Sequence, residues 1–131
     1  YRTSQLKRRE DKRFLVLLAT FILPQDEPAA IKARMVDFGA YRKQTQPPGA
    51  SLGSIFKNPD GDYAGRLIET AGLKGHRIGD AQVSHKHANF FVNAGAATAA
   101  DYRALVAHVQ QVVTARHDVT LEPEIEFLGG W

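Results

Sequence analysis

The feature that most constrains this 131-residue chain is an apolar pattern that follows Thr98. Thr98, with Asp101 three residues later, forms a helix start of the capping-box type, in which each side chain accepts a hydrogen bond from the other residue's backbone N–H. Apolar residues then recur every three or four positions; they are Tyr102, Leu105, Val106, Val109, Val112 and Val113. This spacing predicts a long amphipathic helix whose apolar face covers a hydrophobic core.

The first third of the chain predicts a strand and a second helix. From Phe14 to Leu23 the residues are mainly β-branched, aromatic or otherwise apolar, and a proline ends the run. A run of this length without a polar helical face favours a buried strand, which we expect to be central in a sheet. Asp26, in a capping position, and Pro28, in the first turn, then predict a helix that ends before Gly39.

The rest of the chain predicts a loop, a short helix and three strands. Proline and glycine accumulate from Gln44 to Gly61, which is typical of a shaped, functional loop. After it, we expect Asp62 to cap a short helix that ends at Gly72. Strands are predicted near Arg77 to Val83, near Asn89 to Asn93 and from Thr120 to Phe127. Together these elements indicate an α+β fold, with a small mixed or antiparallel sheet and helices packed on one face.

Composition narrows the class of protein further. The length fits one domain, and 44% hydrophobic residues are enough to fill its core. The chain has no cysteine, which excludes disulfides, thiolate zinc sites and a cysteine nucleophile. No apolar run reaches the ~20 residues of a membrane-spanning helix, and neither common glycine-rich nucleotide-binding motif occurs. Because the sequence has no signal peptide and no start methionine, we expect it to be a piece that begins within a longer protein.

One segment in the middle of the chain carries residue types suited to binding chemistry. Gly53, directly before Ser54, allows a tight turn that presents the serine hydroxyl, and Phe56 can anchor the segment in the core. Lys57 and Asn58 add a cation and an amide, which together suit an anionic ligand such as a diphosphate. Residue types alone leave the role open, because a glycine-serine turn with a solvated lysine has the same sequence.

Histidines and glutamates form two further patterns. His85 and His87 share one face of an extended segment, but no third metal ligand stands at a suitable spacing, so we expect surface or core histidines and no metal site. Glu122, Glu124 and Glu126 also point to one side of their predicted strand, which by default indicates a solvated sheet edge.

Five motifs follow one another along the chain. They are Tyr1-Arg2-Thr3-Ser4, Gly53-Ser54-Ile55-Phe56-Lys57-Asn58-Pro59, Ala64-Gly65-Arg66-Leu67-Ile68-Glu69 leading to Ala71-Gly72-Leu73-Lys74-Gly75, Val83-Ser84-His85-Lys86-His87-Ala88-Asn89-Phe90-Phe91-Val92-Asn93, and Leu121-Glu122-Pro123-Glu124-Ile125. In this order they resemble the C-terminal domain of the UDP-N-acetylenolpyruvoylglucosamine reductase family, over essentially the whole chain. The short interval between Leu23 and the proline pair resembles the subgroup that lacks a tyrosine-bearing insertion.

The resemblance implies a flavin-dependent oxidoreductase of peptidoglycan precursor synthesis, in the cytoplasm of a bacterium. It implies FAD and NADPH as cofactors and a UDP-sugar substrate, UDP-N-acetylglucosamine enolpyruvate, which is reduced to UDP-N-acetylmuramate. This chain, residues 1–131, would supply the C-terminal substrate-binding domain, with residues 1–23 as the end of the preceding FAD-binding part. Because the larger FAD-binding domain is absent from the sequence, we expect the chain alone to bind no flavin tightly. No nucleic-acid or membrane partner is implied.

The resemblance also implies a catalytic set. Hydride addition to the vinyl group of the substrate leaves negative charge on the carbon that bears the carboxylate, and this charge has to be stabilised and then protonated. The resemblance assigns the proton donor to Ser54 and the stabilising pair to Arg2 and Glu124. Since a carboxylate beside an enolate would repel it, we expect Glu124 to be protonated or to share a proton in the assembled site.

Four further residues are candidates for substrate binding. Lys57 and Asn58 are expected to contact the diphosphate and the sugar, and Arg42 and Gln46 to add polar contacts from just before the loop. Asp118 stands where the resemblance leads us to expect a glycine. Aspartate adopts the left-handed backbone conformation more readily than most residues, so we expect this change to be tolerated.

A different class of function stays open on the residues alone. With a net charge of +3 and a pI near 9.3, the chain could be a non-catalytic binding module for nucleic acid or another acidic partner. Binding to nucleic acid would weaken steeply with salt, and it would make no use of Ser54 or Glu124.

Overall fold

The computed structural model describes residues 15–129 of the chain. These residues form helices α1 (Pro28–Thr45), α2 (Ala64–Thr70) and α3 (Ala99–His117), and strands β1 (Ser51–Ser54), β2 (Arg77–Ile78), β3 (Ala81–Val83) and β4 (Phe90–Asn93). The strands lie in the order β1-β4-β3-β2, and each neighbouring pair is antiparallel. The α+β fold class is confirmed, with an antiparallel rather than a mixed sheet.

Helix α3 packs on the core as its apolar pattern predicts. Its first turn has the complete capping box: Thr98 Oγ1 accepts from Asp101 N at 3.1 Å, and Asp101 Oδ2 accepts from Thr98 N at 2.8 Å. The helix contacts α2, β2 and β3. Its end at Asp118, with a φ of 54°, is left-handed as expected from the sequence. The buried residues of α3 are Leu105, Val106, Val109 and Val113.

The strand expected from Phe14 to Leu23 is wrong for residues 15–23, and Phe14 lies outside the described residues. The run has no regular structure, and its apolar side chains are exposed, Leu17 by 86% and Ile22 by 97%. Apolar content alone does not make a strand, because a strand needs a hydrogen-bonding neighbour and a covering layer. Within residues 15–129, the four strands form their sheet without pairing with this run.

Helix α1 is confirmed but is longer than expected. It continues through Gly39 to Thr45, since one glycine weakens a helix by only ~1 kcal/mol relative to alanine. Its N-cap is Glu27; the expected cap, Asp26, accepts a hydrogen bond from the backbone N–H of Glu27 at 2.8 Å. None of the residues of α1 is buried, so this helix does not join the layer that covers the sheet.

The expected loop from Gln44 to Gly61 contains strand β1. Between two positions that pair with β4, β1 has one residue more than its partner, which defines a β-bulge. Gly53 lies in this bulge with a φ of +78°. The glycine before Ser54 therefore bends a strand instead of making a tight turn, while Phe56 is fully buried, as expected.

Helix α2 begins after Tyr63, and Asp62 is not its side-chain cap. The Asp62 carboxylate accepts a hydrogen bond from the backbone N–H of Tyr63 and forms an ion pair with Arg66. Asn58 Oδ1 instead accepts a hydrogen bond from Ala64 N at 3.1 Å. A residue outside the predicted capping position thus satisfies a backbone donor at the helix start.

The remaining strand predictions differ in outcome. The strand near Asn89 to Asn93 is confirmed as β4, whereas the stretch from Arg77 to Val83 is a hairpin of two short strands, β2 and β3. The strand expected from Thr120 to Phe127 is wrong, since this segment makes a single bridge, between Phe56 and Pro123. Proline has no backbone N–H to donate to a ladder, so regular pairing does not extend through this position.

Candidate functional site

Ser54 and Glu124 lie on two segments that are distant in sequence and hydrogen-bonded to each other. Glu124 N donates to Ile55 O at 2.7 Å, and Ile55 directly follows Ser54. In the same pairing, Lys57 N donates to Glu122 O at 2.9 Å. Ser54 and Glu124 are both partly exposed. The fold therefore joins, through the backbone, two segments some seventy positions apart in the chain.

A buried asparagine holds the same segment from the sheet side. Asn89 is only 3% exposed and lies directly before β4. Its side chain makes two hydrogen bonds to the backbone of Phe56: Phe56 N donates to Oδ1 at 2.9 Å, and Nδ2 donates to Phe56 O at 2.8 Å. The residues after Ser54 are thus fixed on one side by Asn89 and on the other by the segment at Glu124.

Lys57 is engaged by a neighbouring carboxylate. Its ammonium group forms an ion pair with Glu122, whose side chain is 69% exposed. The two residues, together with Asn58 and Thr120, line a small polar cavity of about 240 Å³. A ligand phosphate that used Lys57 would have to compete with Glu122 for its charge.

A larger pocket, of about 480 Å³, lies where the start of α2 meets the turn before β4. Arg66 and Lys86 supply positive charge, Asn58 and His87 supply hydrogen-bonding groups, and Glu69, which also lines the pocket, forms an ion pair with Lys74. Such a set suits an anionic ligand with polar substituents, because charge-assisted hydrogen bonds fix phosphate oxygens in position. The basic residues lie on α2 and on the turn before β4, so the pocket exists only in the folded chain.

A hydrogen bond to Nδ1 of His87 defines which tautomer its ring adopts. Nδ1 accepts from Asn89 N at 3.2 Å, which leaves the proton of the neutral ring on Nε2. Burial lowers the pKa of His87 below its usual value, and the nearby Lys74 ammonium lowers it further. His87 is therefore a neutral hydrogen-bond donor at neutral pH.

The sequence interpretation missed three of these pocket residues, Arg66, Lys86 and His87, and took His87 for a surface or core histidine. The sequence did contain one local signal of this pocket, namely Gly65, which directly precedes Arg66. A Cβ atom at Gly65 would lie 3.1 Å from Cε1 of His87, so glycine lets the histidine ring approach the helix closely. That contact joins residues far apart in the chain, which is why spacing alone could not reveal it.

Arg42 and Gln46 lie at the C-terminal end of α1, where the Arg42 guanidinium is 3.4 Å from Gln46 Oε1. With Pro47 they line a shallow groove of about 430 Å³ that also includes Lys86. Lys86 Nζ donates to the backbone carbonyl of Lys43 at 2.5 Å. Because Lys86 lines both this groove and the larger pocket, the structure brings Arg42 and Gln46 close to the pocket that contains Asn58.

Arg2, the third expected catalytic residue, lies outside the described residues. In residues 15–129, no three histidine, aspartate or glutamate side chains come together as a metal-binding group. Over the same part of the chain, no helix has the length and apolar character needed to cross a membrane.

The fold and the site define a class of protein: a small α+β domain with a pocket that carries basic side chains and, on a separate pair of hydrogen-bonded segments, a partly exposed serine and glutamate. A family model described as UDP-N-acetylenolpyruvoylglucosamine reductase, C-terminal domain, matches residues 44–128. The chain therefore belongs to the UDP-N-acetylenolpyruvoylglucosamine reductase family, as the motifs predicted.

Individual relatives agree with the family match. A UDP-N-acetylenolpyruvoylglucosamine reductase of Listeria innocua is 50% identical over 120 residues, which are 91% of this chain and 40% of that protein. The protein of the same name from Chloroflexus aurantiacus is 51% identical over 114 residues, 87% of this chain and 38% of its own length. The chain thus spans about two-fifths of the length of the curated relatives it matches.

A solved structure supports the fold. The crystal structure of the UDP-N-acetylenolpyruvylglucosamine reductase from Thermus caldophilus superimposes with a TM-score of 0.66 and 45% sequence identity. The superposition covers 78% of this chain and 36% of that protein.

Proposed function

We propose that the chain is the substrate-binding part of a reductase that converts UDP-N-acetylglucosamine enolpyruvate to UDP-N-acetylmuramate in bacterial peptidoglycan precursor synthesis, with FAD and NADPH as cofactors. The observation that supports the proposal is the backbone pairing of the two segments that carry Ser54 and Glu124, in a chain of this family. The proposed location of the full enzyme is the cytoplasm.

The proposed chemistry assigns one proton transfer to this chain. When bound in the full reductase, the reduced flavin would supply the hydride for the methylene carbon of the enolpyruvyl group, which would leave negative charge next to the carboxylate. Ser54 then gives its hydroxyl proton to the carbon that bears the carboxylate and regains a proton from water. The substrate gains one hydride and one proton in total, so atoms and electrons balance.

Glu124 and Arg2 have the proposed task of making this transfer possible. A serine hydroxyl is a weak acid, so it needs a developing carbanion beside it and neighbours that stabilise the enolate before protonation. Arg2 can hold the substrate carboxylate with two parallel hydrogen bonds and keeps its charge at every relevant pH. Glu124, protonated or sharing a proton, can donate a hydrogen bond to the enolate oxygen.

We propose that the described residues contact one face of the flavin ring and not the whole of FAD. An apolar groove of about 390 Å³, next in the chain to Ser54 and Glu124, is lined by Leu52, Tyr102, Ile125, Phe127 and Leu128. A flat aromatic ring suits such a groove. The sequence has no glycine-rich phosphate-binding loop, so we propose that the larger N-terminal part of the reductase holds the rest of the cofactor.

We propose that the UDP-sugar occupies the 480 Å³ pocket, whose size is within the usual range for small-molecule sites. Arg66, Lys86 and Asn58 have the charge and the amide needed for its diphosphate and sugar, with Arg42 and Gln46 at the adjoining groove. Lys57 forms an ion pair with Glu122, as Arg66 does with Asp62, so a diphosphate that used either cation would compete with a carboxylate.

The domain boundary is also a proposal. The family model begins at residue 44, after most of α1, and the residues before it expose apolar side chains. We propose that residues 1–23 are the last segment of the FAD-binding part of the reductase, and that residues 24–27 and α1 contact that part. On this reading the isolated chain binds no flavin tightly and turns over no substrate.

The experiment is a comparison of half-reactions in the full-length reductase. In Ser54→Ala, reduction of the flavin by NADPH should stay near the wild-type rate, while its reoxidation by the UDP-sugar should slow by about 10²- to 10⁴-fold, because the proton donor is gone. Stopped-flow absorbance of the flavin measures both rates. Ser51→Ala, at an exposed serine of the same strand, is the matched control. Unchanged reoxidation in Ser54→Ala would refute the assignment.

A further inference from the structure

We propose that Asn89 is a positioning residue for the Ser54 proton donor, a role that rests on the proposed reductase function. Asn89 is only 3% exposed, and it is not among the residues that line the 480 Å³ and 240 Å³ pockets. Three of its hydrogen bonds run to the two residues that follow Ser54.

Three hydrogen bonds connect Asn89 to this short segment. The backbone carbonyl of Asn89 accepts from Ile55 N at 2.9 Å. Its side chain accepts from Phe56 N at 2.9 Å and donates to Phe56 O at 2.8 Å. An asparagine amide can replace a missing strand neighbour in this way, because it offers a donor and an acceptor in the geometry of a peptide group. With the side chain removed, two buried backbone groups of Phe56 would lose their partners.

The same residue also reaches the proposed substrate pocket. Its backbone N–H donates to His87 Nδ1, and His87 lines the pocket together with Asn58. The peptide that Asn89 holds also carries the Ile55 carbonyl, which accepts from Glu124 N at 2.7 Å. One buried residue therefore ties the two segments to the pocket wall: its side chain holds Phe56, and its backbone N–H bonds to His87.

This arrangement predicts a split between binding and chemistry. If Asn89 no longer holds Phe56, the backbone at Ser54 and at Ile55 can shift relative to the pocket, while Arg66, Lys86 and His87 stay on their own elements. Displacement of a reacting group by ~1 Å is enough to reduce a rate by roughly a hundredfold. The expected change is therefore in kcat, with KM for the UDP-sugar altered much less.

The test uses Asn89→Asp in the full-length reductase. The aspartate has nearly the same shape, and one oxygen can still accept from Phe56 N, but the ionised carboxylate cannot donate to Phe56 O. Reoxidation of the reduced flavin by the UDP-sugar should slow about ten- to a hundredfold, with flavin reduction by NADPH unchanged. The solvent deuterium isotope effect on reoxidation should rise, since the misplaced proton transfer becomes rate-limiting.

Acid pH provides a rescue that identifies the missing hydrogen-bond donor as the cause of the slowing. Once protonated, the carboxyl group that Asn89→Asp introduces can donate to Phe56 O through its O–H, which restores both hydrogen bonds. Reoxidation in Asn89→Asp, relative to wild type at the same pH, should therefore recover as the pH falls. Asn93→Asp is the matched control: Asn93 ends the same strand, is exposed and accepts hydrogen bonds from Gly95 N and Ala97 N, both at 3.0 Å. It should leave both half-reactions unchanged.

Each outcome decides the proposal. Equal slowing of the two half-reactions, or no slowing of either, would overturn the role of Asn89. If Asn89→Asp does not fold, Asn89→Leu keeps the number and branching of the side-chain heavy atoms and must show the same kcat and isotope effects without the acid rescue. The proposed function itself fails separately, if the wild-type reductase does not reoxidise its reduced flavin with the UDP-sugar.

Discussion

At the scale of single residues, the structure contains a pair of stacked histidines that joins the loop before β2 to α3. The rings of His76 and His108 are parallel to within 14°, and their centroids are 4.4 Å apart. Burial lowers the pKa of His76 from its ordinary value of 6.5, and the nearby His108 lowers it further. Neutral rings stack without penalty, whereas two protonated rings at this distance repel each other.

The histidine pair makes stability depend on pH in a defined window. Between pH 6.5 and the lower pKa of folded His76, the unfolded chain binds more protons than the folded chain, so the free energy of unfolding falls as the pH falls. Burial of His87 acts in the same direction. Urea unfolding between pH 7.5 and about 5.5 avoids most carboxylate titration, since aspartates titrate near 3.9. His108→Gln should reduce the dependence of the free energy of unfolding on pH. An unchanged dependence would contradict the prediction.

At the scale of elements, α2 depends on a residue that does not belong to it. Asn58→Ala removes the acceptor for Ala64 N, and we expect a loss of about 1 kcal/mol in the free energy of unfolding, comparable to the loss of a helix cap. Urea denaturation of the chain measures this difference. Asp60→Ala, at an exposed residue of the same loop, should change stability by less than about 0.5 kcal/mol. Equal losses in the two variants would rule out the capping role of Asn58.

The elements that the sequence predicts well are those with local signals. The capping box at Thr98 and the apolar stripe after it specify α3 within one stretch of chain, and the left-handed Asp118 ends it. The run from Phe14 to Leu23 and the segment from Thr120 to Phe127 had the composition of strands. Whether either segment pairs with a strand depends on distant parts of the chain. In the segment from Thr120 to Phe127 it also depends on Pro123, which has no backbone N–H to donate to a β-ladder.

In the candidate site, too, the sequence predicts features with local signals and does not predict contacts between distant segments. Ser54, Lys57 and Asn58 are adjacent in the chain, so their motif is visible in the sequence. The contacts of Asn89 with Phe56, and of His87 with α2, join residues that only the folded sheet brings together. Spacing along the chain could not predict these contacts, nor the ion pair that engages Lys57.

At the scale of the whole molecule, the described residues divide into a packed part and an exposed apolar part. Every buried hydrophobic residue in the range 15–129 lies between Ile55 and Leu121. Before that range, α1 has no buried residue, and large apolar side chains from Leu15 to Phe38 are exposed. Exposed apolar surface of this extent is typical of an interface with another part of a protein.

This division predicts the effect of removing the first 43 residues. A chain that begins at residue 44, where the family model begins, should keep its melting temperature to within a few degrees, because it retains the whole described core. It should also lose most of its binding of a hydrophobic dye such as ANS, since the exposed apolar residues of 15–27 and α1 are gone. Thermal unfolding followed by circular dichroism, and dye fluorescence, measure the two effects. A large fall in melting temperature would mean that α1 stabilises the core, and undiminished dye binding would place the exposed apolar surface elsewhere.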